Sequence, residues 1–184
     1  VVLVDTDLRR SMMVSTYGVK FPQDSKKYGL SHYLAGIAEQ DEVLYKTNVA
    51  GMDFVPVGRE LLNPLPLLSS NRFQALLDRL AEAHDYVIVD AAPVGVVIDA
   101  AEIAKYCDGI LLVVNYNQVH RQELIEAKAQ MEQSGCPILG TILNQVDYDG
   151  FTNKKYYYKS HYSSYYKAYE KGADEKGADE KKKD

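Results

Sequence analysis

The 184-residue sequence has no basic excess, no long apolar run and only two cysteines, and each shortage removes a class of function. Lys and Arg total 21 against 26 Asp and Glu, a formal net charge of -5. Nucleic-acid binding usually shows itself as a clustered positive excess. No nucleic-acid partner is therefore expected, and any anionic ligand must be held locally. Apolar stretches such as Gly109-Ile-Leu-Leu-Val-Val114 fall far short of the roughly 20 residues that cross a bilayer, and the N-terminus lacks a charged-then-apolar signal pattern. A soluble chain is expected. Cys107 and Cys136 have no CxxC spacing and sit beside apolar runs, which points to buried free thiols in a reducing compartment rather than to a metal site or a disulfide.

What the sequence does contain is a series of short aliphatic runs with helical patterns between them. Val1 to Asp5, Phe54 to Val57, Tyr86 to Asp90, Ile110 to Asn115 and Ile138 to Leu143 are apolar without alternation, as strands of a parallel sheet covered on both faces must be. The opening run reads as a buried strand rather than a start, so a preceding segment is expected. Helices are predicted over Leu30 to Glu39, with Ser31 near its start, and over Phe73 to Ala83, with Ser69, Ser70 or Asn71 as cap. The second of these carries Phe73, Leu76, Leu77 and Leu80 on one face. Asp99 to Tyr106 and Arg121 to Gln133 complete the set. This alternation predicts a doubly wound, mostly parallel α/β fold over residues 1–150, with ligands bound beyond the carboxyl ends of the strands.

Two of those strand ends carry carboxylates. The first strand delivers Asp5-Thr6-Asp7-Leu8-Arg9-Arg10, and the third delivers Asp90-Ala91-Ala92-Pro93. Such carboxylates can hold Mg²⁺ through water or accept a hydroxyl proton, and Arg suits bidentate phosphate contacts. Each motif also has a plainer reading. The first can be a loop that pairs Asp with Arg, and the second a lone Asp capping the next helix. Together, two strand-end acidic motifs able to face one phosphate–Mg²⁺ centre suit phosphoryl transfer.

A hydrophobic strand followed by Asp-x-Asp-x-Arg resembles the Walker A-prime motif of bacterial tyrosine kinases, and one followed by Asp-x-x-Pro resembles their Walker B motif. That family is related to the ParA and MinD partitioning ATPases. Gly58, Asn63-Pro64 and Leu67-Leu68-Ser69-Ser70 are similar to the family's signature before its central helix, with Pro66 where Glu is common, a change expected to remodel that loop. The resemblance implies a P-loop NTPase-like fold whose substrate is ATP with Mg²⁺. Asp7 and Asp90 become metal ligands, and Asp5 the group that orients or deprotonates the acceptor tyrosine. Arg9 becomes a structural or phosphate-facing partner, and Asn144 the adenine contact or else a turn residue. The Gly-x-x-x-x-Gly-Lys-[Ser/Thr] loop of the first βα unit occurs nowhere in the sequence, so the 184 residues alone are expected not to turn over ATP.

From Phe151 the composition changes. Tyr156, Tyr157, Tyr158, Tyr162, Tyr165, Tyr166 and Tyr169 stand among Lys, Ser and His, and Glu170-Lys-Gly-Ala-Asp-Glu175 is then repeated at 175–180. Residues 151–184 are expected to form a mobile tail, because such sequence buries too little surface to order itself. An aromatic contact strip is the plainer reading of the cluster. In light of the family resemblance these tyrosines are phosphoacceptors for a neighbouring molecule. Each phosphate adds about -1.5 to -2 charges, so a modified tail is repelled from Asp5, Asp7 and Asp90 and released. The resemblance further implies a homo-oligomer at the cytoplasmic face of the cell membrane, working with a transmembrane polysaccharide co-polymerase or adaptor to regulate capsular or exopolysaccharide synthesis and export. A partitioning ATPase shares both Asp motifs but has no need of clustered tyrosines. A catalytically inactive phosphoacceptor or scaffold is the non-enzyme alternative.

Overall fold

A computed structural model describes residues 1–23, 25–95 and 97–146. The tyrosine cluster from Tyr156 to Tyr169 and the expected boundary at residue 150 lie outside them. The described residues fall into two compact units, Val1–Leu111 with Gln122–Gly140, and Leu112–Arg121 with residues 141–146.

In the first unit the strands are β1 (Val2–Asp5), β2 (Tyr45–Lys46), β3 (Asp53–Val55) and β4 (Val87–Asp90), in the order β2-β3-β1-β4. β1 lies parallel to both β3 and β4, and only the two-residue β2 runs antiparallel, at the edge. The helices are α1 (Met13–Thr16), α2 (Leu30–Leu34), α3 (Gln40–Val43), α4 (Leu65–Leu68), α5 (Asn71–Ala83), α6 (Asp99–Ala104) and α7 (Arg121–Glu132), the last beginning at the unit boundary. β5 (Ile110–Asn115) and β6 (Ile138–Asn144) pair with each other and continue into the second unit.

The core follows the apolar pattern where the chain is central. Val2, Val4 and Val55 are fully buried against Leu30, Leu68, Phe73, Leu76 and Leu80. α5 turns the expected face inward, and Ser70 caps it by accepting from the Phe73 amide at 3.4 Å. Tyr33 of α2 is buried under the same helix, with the Arg72 guanidinium 4.7 Å above its ring and Arg79 donating to its hydroxyl. One-turn α4 tolerates Pro66 because the first turn of a helix has no intrahelical use for those N–H groups.

Three expectations are corrected. The helix from Leu30 ends at Leu34, not Glu39, because Gly36 adopts φ +73 and stops it, and the chain restarts as α3. Ser31 does not cap that helix: Gly29 is the N-cap, and the Ser31 hydroxyl accepts from the Arg59 amide at 2.8 Å. Burial on both faces holds for β1 and β3 but not for the later strands. Ile88, Leu111, Val113 and Leu139 are exposed, and among the described residues no strand pairs with the outer edge of β4.

Cys107 and Cys136 are free thiols, and Cys136 Sγ approaches the Cys107 carbonyl at 3.2 Å. Burial pushes the Cys107 thiol up to about 11 and raises Cys136 as well, so neither is a reactive thiolate near neutral pH.

Candidate functional site

Parallel pairing places Asp5, the last residue of β1, directly opposite Asp90, the last residue of β4. Thr6 fixes that register at the edge, donating to the Asp90 carbonyl from its amide at 2.8 Å and from its hydroxyl at 2.6 Å. Carboxylates far apart in sequence thus reach one edge of the sheet, where ligands bind in open α/β folds.

Asp5 is 1% exposed. Its Oδ1 accepts from the Asp7 amide at 3.3 Å and its Oδ2 accepts from the Ser11 hydroxyl. Ser11 in turn accepts from the Met13 amide at 3.2 Å, which ties the start of α1 to this carboxylate. Asp7 turns back over its own loop, where Oδ1 accepts from the amides of Arg9 at 3.3 Å and Arg10 at 3.0 Å. Desolvation pushes the Asp5 pKa up to about 6, opposed by the Ser11 hydrogen bond and assisted by the charge of Asp90. Asp90 is exposed at the strand end, yet desolvation of its carboxyl and then the charge of Asp7 raise its pKa too.

The raised Asp5 pKa has a stability consequence whose sign is fixed. Below about pH 3.8 both folded and unfolded chains hold the proton and nothing is lost. Between there and about 6 the unfolded chain releases it while the folded one retains it, so stability falls as pH rises. Above that range the fold bears a cost on the order of 2–3 kcal/mol. Asp5→Asn is expected to raise stability at about pH 7.5 by up to that amount and to leave it nearly unchanged at about pH 4. Urea unfolding at the two pH values checks this, and equal stability of both proteins at the higher pH would exclude desolvation as the cause.

Among the described residues no group of three or more His, Cys, Asp or Glu is arranged to grip a metal. Mg²⁺ does not require such a cage, since it commonly takes one or two carboxylates, waters and substrate phosphates. The mutual repulsion of Asp5, Asp7 and Asp90 is an excess of negative charge that a divalent cation relieves, so the donor set fits this ion.

The Arg9 guanidinium forks onto Asp99 and also donates to the Leu62 carbonyl. Asn144 closes β6 in the second unit, where its carbonyl accepts from the Tyr116 amide at 2.8 Å and its side-chain oxygen from the Gln145 amide at 2.9 Å. No local sequence signal marks Ser11 or Asp99. Ser11 sits six residues after Asp5 in an ordinary loop, and Asp99 is one of two acids in the first turn of a helix.

No family model matches the chain. Over 145 residues it is 39% identical to the tyrosine-protein kinase CpsD of Streptococcus agalactiae serotype III (strain NEM316), covering 79% of this chain and 61% of that relative. The chain thus spans about three-fifths of the length of the curated relatives that it matches first. Among solved structures, the kinase domain of Escherichia coli tyrosine kinase ETK aligns with a TM-score of 0.75 at 32% identity, covering 85% of this chain and 60% of that one. The septum site-determining protein MinD from Pyrococcus horikoshii OT3, solved with Mg-ADP, aligns with a TM-score of 0.59 over 77% of this chain and 56% of its own. At 21% identity that likeness is one of fold alone, and it agrees with the P-loop NTPase-like α/β fold shared with the ETK kinase domain.

Proposed function

Because this chain belongs to the bacterial tyrosine-protein kinases by sequence and by structure, we propose that it forms the Asp-bearing part of a site that transfers the γ-phosphate of ATP to tyrosine. The observation that carries the reading is the convergence of Asp5, Asp7 and Asp90 at the carboxyl ends of two paired parallel strands. Asp7 and Asp90 would hold Mg²⁺ there. When bound, the ion supplies positive charge against the phosphate oxygens. Asp5, buried and oriented by Ser11 and the Asp7 amide, faces the acceptor hydroxyl and takes its proton as the phosphoryl group arrives. A pKa near 6 leaves Asp5 mostly ionised at neutral pH and still more basic than an ordinary carboxylate. These 184 residues contain no Gly-x-x-x-x-Gly-Lys-[Ser/Thr] sequence to cradle the phosphates.

The acceptors are the tyrosines from Tyr156 to Tyr169, presented to a neighbouring copy in a homo-oligomer at the cytoplasmic face of the membrane. A membrane-spanning polysaccharide co-polymerase or adaptor is the partner, and the process regulated is capsular or exopolysaccharide synthesis and export. Among the described residues no helix is long and apolar enough to cross a membrane.

The test uses protein expressed from the full coding sequence. An Asp5→Asn protein with its tail intact is mixed with an active protein in which Tyr156, Tyr157, Tyr158, Tyr162, Tyr165, Tyr166 and Tyr169 are all Phe. Mg-ATP is expected to place phosphotyrosine on the Asp5→Asn partner. Absence of label on it, with concentration-independent labelling of the unmodified protein, would show transfer within one molecule. No phosphotyrosine in any sample would sink the kinase reading.

A further inference from the structure

The Arg9 guanidinium joins three segments, each of which follows the carboxyl end of one of three adjacent parallel strands. Its Nε donates to Asp99 Oδ2 at 2.6 Å and its Nη2 to Asp99 Oδ1 at 3.0 Å, a two-bond fork onto the first residue of α6. Its Nη1 donates to the Leu62 carbonyl at 3.0 Å, in the segment that follows β3. One residue earlier, the Leu61 amide donates to the Leu8 carbonyl at 2.7 Å, so the same two loops are also tied through backbone. Asp99 is 2% exposed. A buried ion pair of this kind adds little net stability, since desolvation offsets most of the attraction, and specifying one conformation is its better-attested use.

The conformation specified here is that of the Asp7 loop. Arg9 and Arg10 supply the two amides that hold Asp7 Oδ1, and the Arg9 side chain anchors that stretch to the segments leaving β3 and β4. We infer that Arg9 and Asp99 form a positioning pair that sets the Asp7 carboxylate for Mg²⁺ beside Asp90. This rests on the nucleotide-site reading above and assigns Arg9 to the loop rather than to the phosphates. Partners that orient metal-binding groups are commonly worth about 10- to 100-fold in metal affinity.

The variants are Arg9→Lys, which keeps the charge but not the fork, Asp99→Asn, and the apolar double variant Arg9→Met with Asp99→Leu. The double variant removes both charges together, so it is expected to stay folded. All are made in protein expressed from the full coding sequence. In metal-free protein, NMR hydrogen exchange at the Arg10 amide is expected to quicken by about 10-fold or more in every variant, while Leu3 and Val4 in β1 stay unchanged. The Mg²⁺ concentration needed for half-maximal binding of a fluorescent ADP analogue is expected to rise by about 10-fold or more, with binding recovering at saturating Mg²⁺. An unchanged Mg²⁺ requirement in the folded double variant, or exchange that quickens equally across β1, overturns the inference. Wild-type protein that binds Mg-ADP but makes no phosphotyrosine fails the kinase reading alone, and the variants' Mg²⁺ requirement still decides this one. Wild-type protein with no Mg²⁺-dependent nucleotide binding overturns both.

Discussion

Asp7→Asn and Asp90→Asn, each in protein expressed from the full coding sequence, are expected to lower tyrosine autophosphorylation by about 100-fold or more. Asparagine keeps the shape of each side chain and removes the negative charge that retains a divalent cation. The loss will not be one of folding. Asp5 and Asp90 already have raised pKa values, with neighbouring carboxylates contributing, and neutralising one member relieves the others. Both variants should therefore be at least as stable as the parent at neutral pH, which separates a chemical effect from an unfolded one. Quantitative anti-phosphotyrosine blotting with a parallel thermal melt makes the measurement. Undiminished signal in both variants would remove these residues from the mechanism.

Gly29→Ala is expected to cost more than about 3 kcal/mol of stability. The backbone conformation is not the reason, since Gly29 is extended at φ -152. Space is the reason. A Cβ there would lie 2.3 Å from the Pro56 carbonyl oxygen, 2.4 Å from the Gly58 nitrogen and 2.7 Å from the Gly58 Cα, all backbone atoms. Those atoms cannot withdraw cheaply, because the Leu30 amide donates to the Pro56 carbonyl at 2.7 Å and the Ser31 amide to the Val57 carbonyl at 2.9 Å. The clash falls where the segment leaving β3 turns along the edge that carries the candidate site. Gly36→Ala is the control: it has nothing within 4 Å and only its φ of +73 to oppose it, so about 1 kcal/mol is expected. Denaturant unfolding of the two variants decides, and similar small costs would mean that the close approach at Gly29 is not maintained in solution.

Much of the candidate site was legible because its signals are local. An unbroken apolar run ending in a carboxylate encodes a strand and the group that the strand delivers, and the runs before Asp5 and Asp90 behave that way, although only the first of the two strands is buried. Helical spacing of Phe73, Leu76, Leu77 and Leu80, with Ser70 ahead of them, likewise fixed α5 and its cap within the segment itself. Short-range signals also misled. Ser31 has the chemistry of a cap, yet its hydroxyl went to Arg59, and Gly36 broke a helix whose apolar pattern continued past it.

By itself the sequence determined the strand runs, the acidic strand ends and the tyrosine-rich composition after residue 150, all of which depend on neighbours along the chain. Only the tertiary structure decided that Asp5 stands opposite Asp90, that Ser11 orients Asp5, and that Arg9 belongs to Asp99. Register and side-chain partnership between segments as much as 90 residues apart depend on the order in which strands pair, and no local periodicity encodes that order.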